Sequence, residues 1–211
     1  MTSISPEDIK KLRDKTGAGF MDCKKALEET KTNIDEAVEW LRKNGISAAE
    51  KKTTRIASDG LVAIDNNDNE ASIIEINSET DFVARNEDFQ NFVSEISKIC
   101  LKLKGDMDKI IDSKFENKNE NVSETLTNLI AKIGENISIK RCKYISVSNG
   151  LVGSYIHNVE KDNMGKIGVI ISVKTNLELS IINDFLKKIC MHIAASNPLS
   201  VNISSLDNNL L

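Results

Sequence analysis

Residues 60–77, GLVAIDNNDNEASIIEIN, decide the fold class of this chain. Two short apolar runs, GLVAID and ASIIEIN, flank the polar turn NNDNE, which is the pattern of an antiparallel β-hairpin. The next segment, NEDFQNFVSEISKICLKL, places apolar residues at helical spacing and predicts an amphipathic helix. A second helix within ETLTNLIAKIGE and a third strand within NISIKRCKYISV follow. Strands and helices in this order predict an α+β fold.

The same pattern recurs further along the chain. GLVAI is matched by NGLVGSYI at 149–156, SIIEI by GVIISV at 168–173, and DFQNFVSEISKIC by DFLKKICMHIAA from 184. Three matches in one order predict a duplicated unit, and hence two related sheet-plus-helix subdomains at 60–145 and 146–211. The second has no counterpart of the later helix and strand, so we expect it to be incomplete. Either the chain is truncated or another chain supplies the remainder.

The sequence of residues 1–45 predicts three short helices, and that of residues 46–59 predicts a helical linker. Ser5 followed by Pro6 is typical of a helix N-terminus. Asn33 with Glu36 three residues later resembles a capping box at the start of the third helix. Gly45 is expected to end that helix.

Charge and composition limit the class of protein. The chain has 32 acidic and 28 basic side chains among 211 residues, a net charge of −4, which argues against a general attraction to nucleic acid or anionic membrane. The sequence has no apolar run of membrane-spanning length and no secretory signal pattern, so we expect a cytoplasmic protein. The four cysteines lie far apart without CxxC spacing, which predicts buried, reduced thiols.

The motif search gives no case for an enzyme. The sequence contains neither a phosphate-binding loop of the form GxxxxGK[ST] nor a GxSxG nucleophile motif. Cys190 and His192 are two residues apart on one predicted helix, so their side chains would not face each other. His157 and His192 lack partners at zinc-ligand spacing. We therefore predict a binding or regulatory protein without catalytic residues, cofactor or metal.

The aromatic residues then become informative, because large rings dominate interface energetics. In INSETDFVARNEDF, residues 76–89, Phe82 lies between a strand and the next helix and does not belong to the apolar stripe of that helix. Periodicity leaves two interpretations open: Phe82 anchors the loop to its own core, or it is held out for a partner. The same two interpretations, packing in the core or exposure for a partner, are open for Phe20 and Met21, which directly follow a glycine-rich turn.

Five segments resemble the translation elongation factor Ts family, in the family's order and over essentially the whole chain. They are IKKLRDKTGAGFMDCKKALEE (9–29), SETDFVARNEDFQNF (78–92), LIAKIGENISIKR (129–141), GSYIHN (153–158) and MHIAASNPLSV (191–201). The resemblance implies a ubiquitin-associated-like three-helix domain, a linker and a core of two related subdomains. Full-length relatives usually continue beyond the position of Leu211, so by this resemblance the chain is expected to lack a C-terminal portion.

The resemblance also implies a function and a set of site residues. Members of the family are guanine-nucleotide exchange factors that bind elongation factor Tu, in its GDP-bound and nucleotide-free forms. By resemblance, the phenylalanine of the TDFV segment inserts between helices of the partner's nucleotide-binding domain, which displaces Mg²⁺, disturbs the phosphate loop and releases GDP. The residues expected to act on elongation factor Tu in this way are Thr80, Asp81, Phe82 and Val83. Further contacts with that partner are expected from Phe20, Met21 and His157.

Two alternatives come from other classes of protein. One is a non-enzymatic RNA- or protein-binding module that uses the N-terminal helices and the basic linker residues Lys51, Lys52 and Arg55, with a steep salt dependence. The other is a thiol enzyme built on Cys190 or Cys142, which requires a thiol of lowered pKa. An exchange factor needs neither a membrane nor direct contact with nucleic acid.

Overall fold

The computed structural model describes residues 4–115 and 120–205 of the chain. The helices are α1 Pro6–Thr16, α2 Phe20–Glu29, α3 Ile34–Lys52, α4 Asp81–Ala84, α5 Glu87–Lys102, α6 Met107–Asp112, α7 Val122–Ile133 and α8 Leu179–Ser196, with a short 3-10 helix at Ile203–Ser205. The strands are β1 Asp59–Asn66, β2 Glu70–Ser78, β3 Ile137–Ser146, β4 Gly150–Lys161 and β5 Met164–Lys174. The α+β class is confirmed. Among the described residues, no helix is long and apolar enough to cross a membrane.

The contacts divide the chain into two compact units. The first comprises Met1–Gly60, Asn77–Phe89 and Ile111–Ile139, and the second comprises Leu61–Ile76, Gln90–Ile110 and Lys140–Leu211. The N-terminal helices, the α4 region and α7 therefore belong to the first unit. Most of the sheet, together with α8, belongs to the second.

The first unit contains a helical core, and Ser5 and Asn33 cap its helices as predicted, but the reciprocal half of the expected Asn33–Glu36 capping box is not formed. Ser5 accepts a hydrogen bond from the backbone N–H of Asp8 at 3.1 Å, and Pro6 opens α1. Asn33 accepts from the N–H groups of two residues in the first turn of α3, at 3.1 and 3.2 Å. The Glu36 carboxylate accepts from the Asn33 side chain, while the Asn33 backbone N–H donates to Thr30. One cluster of buried side chains in this unit consists of Ile9, Leu12, Cys23, Ala26, Leu27 and Ala37.

The prediction that Gly45 ends the third helix is wrong. Helix α3 continues through Gly45 to Lys52. A Cβ added at Gly45 would lie 3.1 Å from the Cβ of Ala131 on α7, closer than side chains normally pack. The missing side chain therefore lets α3 and α7 approach each other. This close approach offsets the roughly 1 kcal/mol that glycine costs inside a helix.

The sheet has the strand order β3–β2–β1–β5–β4. The predicted hairpin is confirmed: β1 and β2 are neighbours joined by a turn in which Asn67 Oδ1 accepts from the N–H groups of Asn69 and Glu70. Strands β4 and β5 are antiparallel from Gly150↔Lys174 onward, and β1 is antiparallel to β5. The strands of both repeated sequence segments therefore lie in one sheet, with β3 and β4 at its edges in the part of the chain that is described.

In the second unit, α8 packs against β4. Leu186 and Cys190 of this helix are fully buried. A Cβ added at Gly153 of β4 would lie 2.9 Å from the Cβ of Leu186, so the glycine makes room for the helix on the sheet. A further cluster of buried side chains consists of Ala71 of β2, Val152 of β4 and Val147, which directly follows β3.

Candidate partner-binding site

Phe82 is one of the most exposed large apolar side chains in the described chain. It lies on the four-residue helix α4, with 77% of its surface accessible, whereas its neighbour Val83 is only 5% exposed. Phe89, which opens the apolar face of α5, is completely buried. Of the two interpretations of Phe82, the one that anchors the loop to its own core is therefore wrong. The ring projects into solvent.

The chain enters α4 along a constrained path. Ser78, the last residue of β2, is fully buried, and its hydroxyl donates to the backbone carbonyl of Thr80 at 3.0 Å. Thr80 is the N-cap of α4 in an extended conformation, with φ −129° and ψ 160°. Its hydroxyl does not cap the helix, because it is used in a contact with a distant part of the chain.

That contact is with Glu135, in the turn between α7 and β3. The backbone N–H of Thr80 donates to Glu135 Oε2 at 3.0 Å, and the Thr80 hydroxyl donates to Oε1 at 2.7 Å. One carboxylate thus accepts both available donors of a residue 55 positions away. Hydrogen bonds to an ionised acceptor are among the stronger ones in proteins.

Glu79 and Asn136, the sequence neighbours of Thr80 and Glu135, form a second contact between the same two segments. The backbone N–H of Asn136 donates to Glu79 Oε1 at 2.6 Å, and the Arg55 guanidinium lies 3.5 Å from the same oxygen. Asn136 is 5% exposed, and its amide donates to the carbonyl of Arg55 at 2.7 Å. Residues 79–80, 135–136 and the segment after α3 therefore form one hydrogen-bonded network, which we call the α4 anchor.

The exit from α4 is also fixed. The N–H of Arg85 donates to the carbonyl of Phe82 at 3.2 Å, and that of Asn86 donates to the carbonyl of Val83 at 2.9 Å. Asn86 Oδ1 then accepts from the N–H of Phe89 at 3.2 Å. This last bond satisfies a donor in the first turn of α5. The exposed ring is therefore carried by backbone that is bonded on both sides.

Phe20 and Met21 begin α2 and are 50% and 69% exposed. The interpretation that buries them in the core of the three helices is therefore wrong, because at least half of each side chain is exposed. The preceding turn is shaped by Gly17, which has φ +69° and ends α1. A Cβ there would lie 2.7 Å from Cε of Lys132, whose ammonium pairs with Asp88 at 2.7 Å. The end of α7 thus contacts the turn before Phe20 as well as the start of α5.

His157 belongs to the second unit, separate from the other predicted site residues. It lies on β4 opposite Ile167 of β5 and is exposed. Its Nδ1 is 3.0 Å from the Tyr155 hydroxyl, within hydrogen-bond distance, and the two rings are 6.0 Å apart. Tyr155 therefore limits the directions in which the imidazole can point.

Cys23, Cys100 and Cys190 do not have the environment of reactive thiols. Burial raises the pKa of Cys100 to about 12 and that of Cys190 to about 11, and burial also raises the pKa of Cys23. The predicted burial is confirmed for these three residues; Cys142 is partly exposed and donates to the carbonyl of Gly105 at 3.1 Å. A thiolate nucleophile needs a lowered pKa, so Cys190 does not fit the thiol-enzyme alternative.

The basic linker is partly used within the protein. Lys51 and Lys52 form the last turn of α3, and Arg55 pairs with Glu79 in the α4 anchor. In residues 4–115 and 120–205, no group of three or more His, Cys, Asp and Glu side chains is arranged to hold a metal ion.

Sequence reasoning missed the roles of Glu79, Glu135 and Asn136. All three residues lie within segments that resemble the family, but no local pattern connects GEN at 134–136 with SET at 78–80. The connection is tertiary and becomes visible only when the turn after α7 is placed beside the end of β2.

Comparison with known proteins gives consistent matches along the chain. Residues 79–211 match the family described as Elongation factor TS, and residues 1–49 match Elongation factor Ts, mitochondrial, N-terminal. The Elongation factor Ts of Xanthobacter autotrophicus is 43% identical over 211 residues, which cover 100% of this chain and 69% of the relative. That of Methylobacterium radiotolerans is 44% identical over 207 residues, 98% of this chain and 67% of the relative. That of Rhodospirillum centenum is 43% identical over 211 residues, which cover 100% of this chain and 69% of the relative.

Proposed function

Because this chain belongs to the elongation factor Ts family, we propose that it promotes the release of GDP from elongation factor Tu during translation elongation. The observation that carries this proposal is the exposure of Phe82 on a helix whose backbone is bonded on both sides. A large ring held in water forgoes the favourable free energy that its burial would contribute. An apolar slot in a partner would bury it, and aromatic anchors of this kind dominate interface energies.

In this proposal Phe82 inserts between helices of the partner's nucleotide-binding domain, and Asp81 fixes the approach by hydrogen bonding. Insertion displaces the Mg²⁺ bound with GDP and disturbs the phosphate loop. Magnesium bridges phosphate oxygens to the protein, so its displacement removes a large charge interaction from GDP. Thr80 and Val83 contribute by holding α4, since Val83 faces the interior and Thr80 is engaged by Glu135.

The free energy for exchange comes from differential binding. A factor that binds nucleotide-free elongation factor Tu more tightly than the GDP-bound form weakens GDP binding by the same ratio. No covalent step occurs on this chain, so it is not an enzyme in this proposal and uses no cofactor. We place it in the cytoplasm, with elongation factor Tu as its partner and without direct contact to nucleic acid or membrane.

Phe20, Met21 and His157 complete the proposed interface. The first two lie in the same compact unit as α4, and Lys132 contacts the turn that precedes them. His157 lies in the second unit and is oriented by Tyr155. The ubiquitin-associated-like character of residues 1–45 and the two-subdomain organisation of residues 60–211 remain part of this proposal.

The test is the release of a fluorescent GDP analogue from elongation factor Tu, followed with increasing amounts of the chain. We expect wild-type chain to accelerate release, Phe82→Ala to lose most of the acceleration, and added Mg²⁺ to reduce it. Leu199→Ala is the matched control, because Leu199 is also apolar and 76% exposed but lies outside the α4 anchor and the proposed contacts. Equal activity of wild type and Phe82→Ala would contradict the insertion mechanism. Salt-sensitive RNA binding that needs Lys51, Lys52 and Arg55 but not Asp81 or Phe82 would instead support the RNA-binding alternative.

A further inference from the structure

Helix α4 is too short to hold its own position. It has four residues, and a single helical turn fixes several backbone dihedrals for very few hydrogen bonds. Because 77% of Phe82 is exposed, the ring contributes little burial that could hold the turn in place. The orientation of Asp81 and Phe82 therefore depends on the buried side chains of Val83 and Ala84 and on the residues that fix the entry to the helix.

The entry is fixed by one carboxylate. Glu135 accepts from both the N–H and the hydroxyl of Thr80, the residue directly before Asp81. Its own position is set by α7 on one side and by Asn136 on the other, which is buried and bonded to Glu79 and to the carbonyl of Arg55. The backbone that carries this carboxylate is thus held on both sides, whereas the segment that it bonds to is a single helical turn.

We propose that Glu135 is a positioning residue for nucleotide exchange: its carboxylate holds Thr80 so that Asp81 and Phe82 are already oriented for insertion into elongation factor Tu. This inference rests on the proposed function. Binding costs less when the inserted group does not have to be ordered first. Without Glu135, α4 would sample several orientations, and in only a fraction of the complexes held by Phe20 and Met21 would the ring be oriented for insertion.

The chemistry of the carboxylate makes the role testable by a small change. Thr80 offers two donors, and Glu135 supplies an acceptor oxygen to each. A glutamine has the same shape but only one acceptor oxygen, and its NH₂ group only donates. Glu135→Gln therefore leaves one Thr80 donor without its acceptor and removes the charge from the other bond, while the packing of the side chain is kept.

The first measurement separates local from global effects. Amide hydrogen exchange of the full chain should show that the Thr80 N–H of Glu135→Gln exchanges about tenfold faster than that of the wild type, the size expected for loss of one charge-assisted bond. Asn121→Ala is the control, because it removes the capping box at the opposite end of α7 and leaves Glu135 untouched. In this control Thr80 should exchange within about twofold of the wild-type rate, since the cap acts on the first turn of α7.

The second measurement is GDP release from elongation factor Tu at saturating concentrations of each variant. We expect Glu135→Gln to lower the maximal release rate about tenfold while changing the half-saturating concentration less than about twofold, because Phe20 and Met21 are unaffected. Asn121→Ala should keep the maximal rate within about twofold of the wild type. In a double-mutant cycle, Glu135→Gln combined with Thr80→Val should lose less than the product of the two single losses, since both remove the same contact.

The outcomes distinguish the two proposals. If the wild type accelerates GDP release and Glu135→Gln matches it at every concentration, the positioning role is overturned and the proposed function stands. If Thr80 exchanges at the same rate in both proteins, Glu135 does not hold α4, and the positioning role is again overturned. If the wild type does not accelerate release, the proposed function fails and the positioning role for exchange fails with it. Loss of rate with faster Thr80 exchange supports both.

Discussion

Phe82 and Val83 are adjacent on α4 and have opposite environments: the phenylalanine is 77% exposed and the valine 5% exposed. Neighbouring residues on a helix point about 100° apart, so one turn is enough to face the core with one side chain and solvent with the other. The larger of the two side chains is the one left outside. The helix therefore uses Val83 and Ala84 as its attachment and presents Phe82.

This arrangement predicts that truncating the smaller side chain, Val83, destabilises the fold more than truncating the larger one, Phe82. Phe82→Ala should change the free energy of unfolding by no more than about 0.5 kcal/mol, as is typical of surface positions. Val83→Ala should cost about 1–2 kcal/mol, at about 0.8 kcal/mol for each buried methyl or methylene group lost. Urea unfolding of both variants measures this. A loss of 2 kcal/mol or more in Phe82→Ala would mean that the ring is packed on the protein itself.

Phe20 and Met21 should affect affinity more than rate. Both are exposed at the start of α2, apart from α4 in the sequence. We expect Phe20→Ala to raise the half-saturating concentration in GDP release about tenfold, the effect of losing about 1.4 kcal/mol at an interface hot spot. The maximal rate should stay close to that of the wild type. Loss of maximal rate without loss of affinity would contradict this assignment.

Local features of the fold could be predicted from the sequence, and non-local ones could not. Ser5 and Asn33 cap their helices through groups two or three residues away, so short patterns identify them. The burial of Phe89 follows from helical periodicity. The exposure of Phe82 does not, because a four-residue helix is too short to show a periodic pattern of apolar residues. The sequence also does not show that Gly45 lies inside α3, because its role depends on Ala131 of another helix.

The candidate site shows the same division. The resemblance names Thr80–Val83 and the pair Phe20–Met21, but it gives no reason why these residues should be held as they are. That reason lies in Glu135, 55 positions from Thr80. Propensities and motifs describe a segment and its immediate neighbours, so a carboxylate that acts across the fold leaves no signal in either segment.

The close approach of α3 and α7 predicts that Gly45 does not tolerate a large side chain. A Cβ at this position already lies 3.1 Å from Ala131 Cβ, so Gly45→Leu must push the two helices apart. Overpacking of this kind costs about 1–3 kcal/mol, which exceeds the roughly 1 kcal/mol gained in helix propensity. Urea unfolding should show a net loss of stability, and Ala131→Gly should cost less in Gly45→Leu than in the wild type, because it relieves the overlap. A Gly45→Leu variant more stable than the wild type would contradict this packing.

The thiols should differ in reactivity in the native state. Burial raises the pKa of Cys100 to about 12 and of Cys190 to about 11, so at pH 8 both stay protonated and inaccessible. Cys142 is partly exposed and should react first with iodoacetamide. Mass spectrometry of the peptides from native protein measures the order, and denatured protein, in which all four cysteines react, is the control. Preferential modification of Cys190 in native protein would revive the thiol-enzyme alternative.

Tyr144 and Glu70 should make a pH-dependent contribution to stability. The Tyr144 hydroxyl donates to Glu70 and is the largest cause of the lowered pKa of that carboxyl; Asn67 adds to it. A carboxyl whose pKa is lower in the folded state stabilises the fold above its ordinary pKa of 4.5, and the contribution is lost as the pH falls through the folded value. The same bond raises the pKa of Tyr144 above 10.0, so the tyrosine contributes below that pH and loses its contribution as the pH rises further.

Tyr144→Phe removes the donor and should therefore lower stability most between about pH 5 and pH 9. As the pH falls below the ordinary pKa of 4.5 and then through the lower folded value, the difference between the variant and the wild type should shrink, because Glu70 becomes protonated. Urea midpoints measured from pH 3 to pH 9 give the comparison, and carbon NMR of the Glu70 carboxyl should show its pKa rising toward the ordinary value in the variant. A stability difference that is constant over this range would mean that the pair acts through packing and not through the ionised carboxylate.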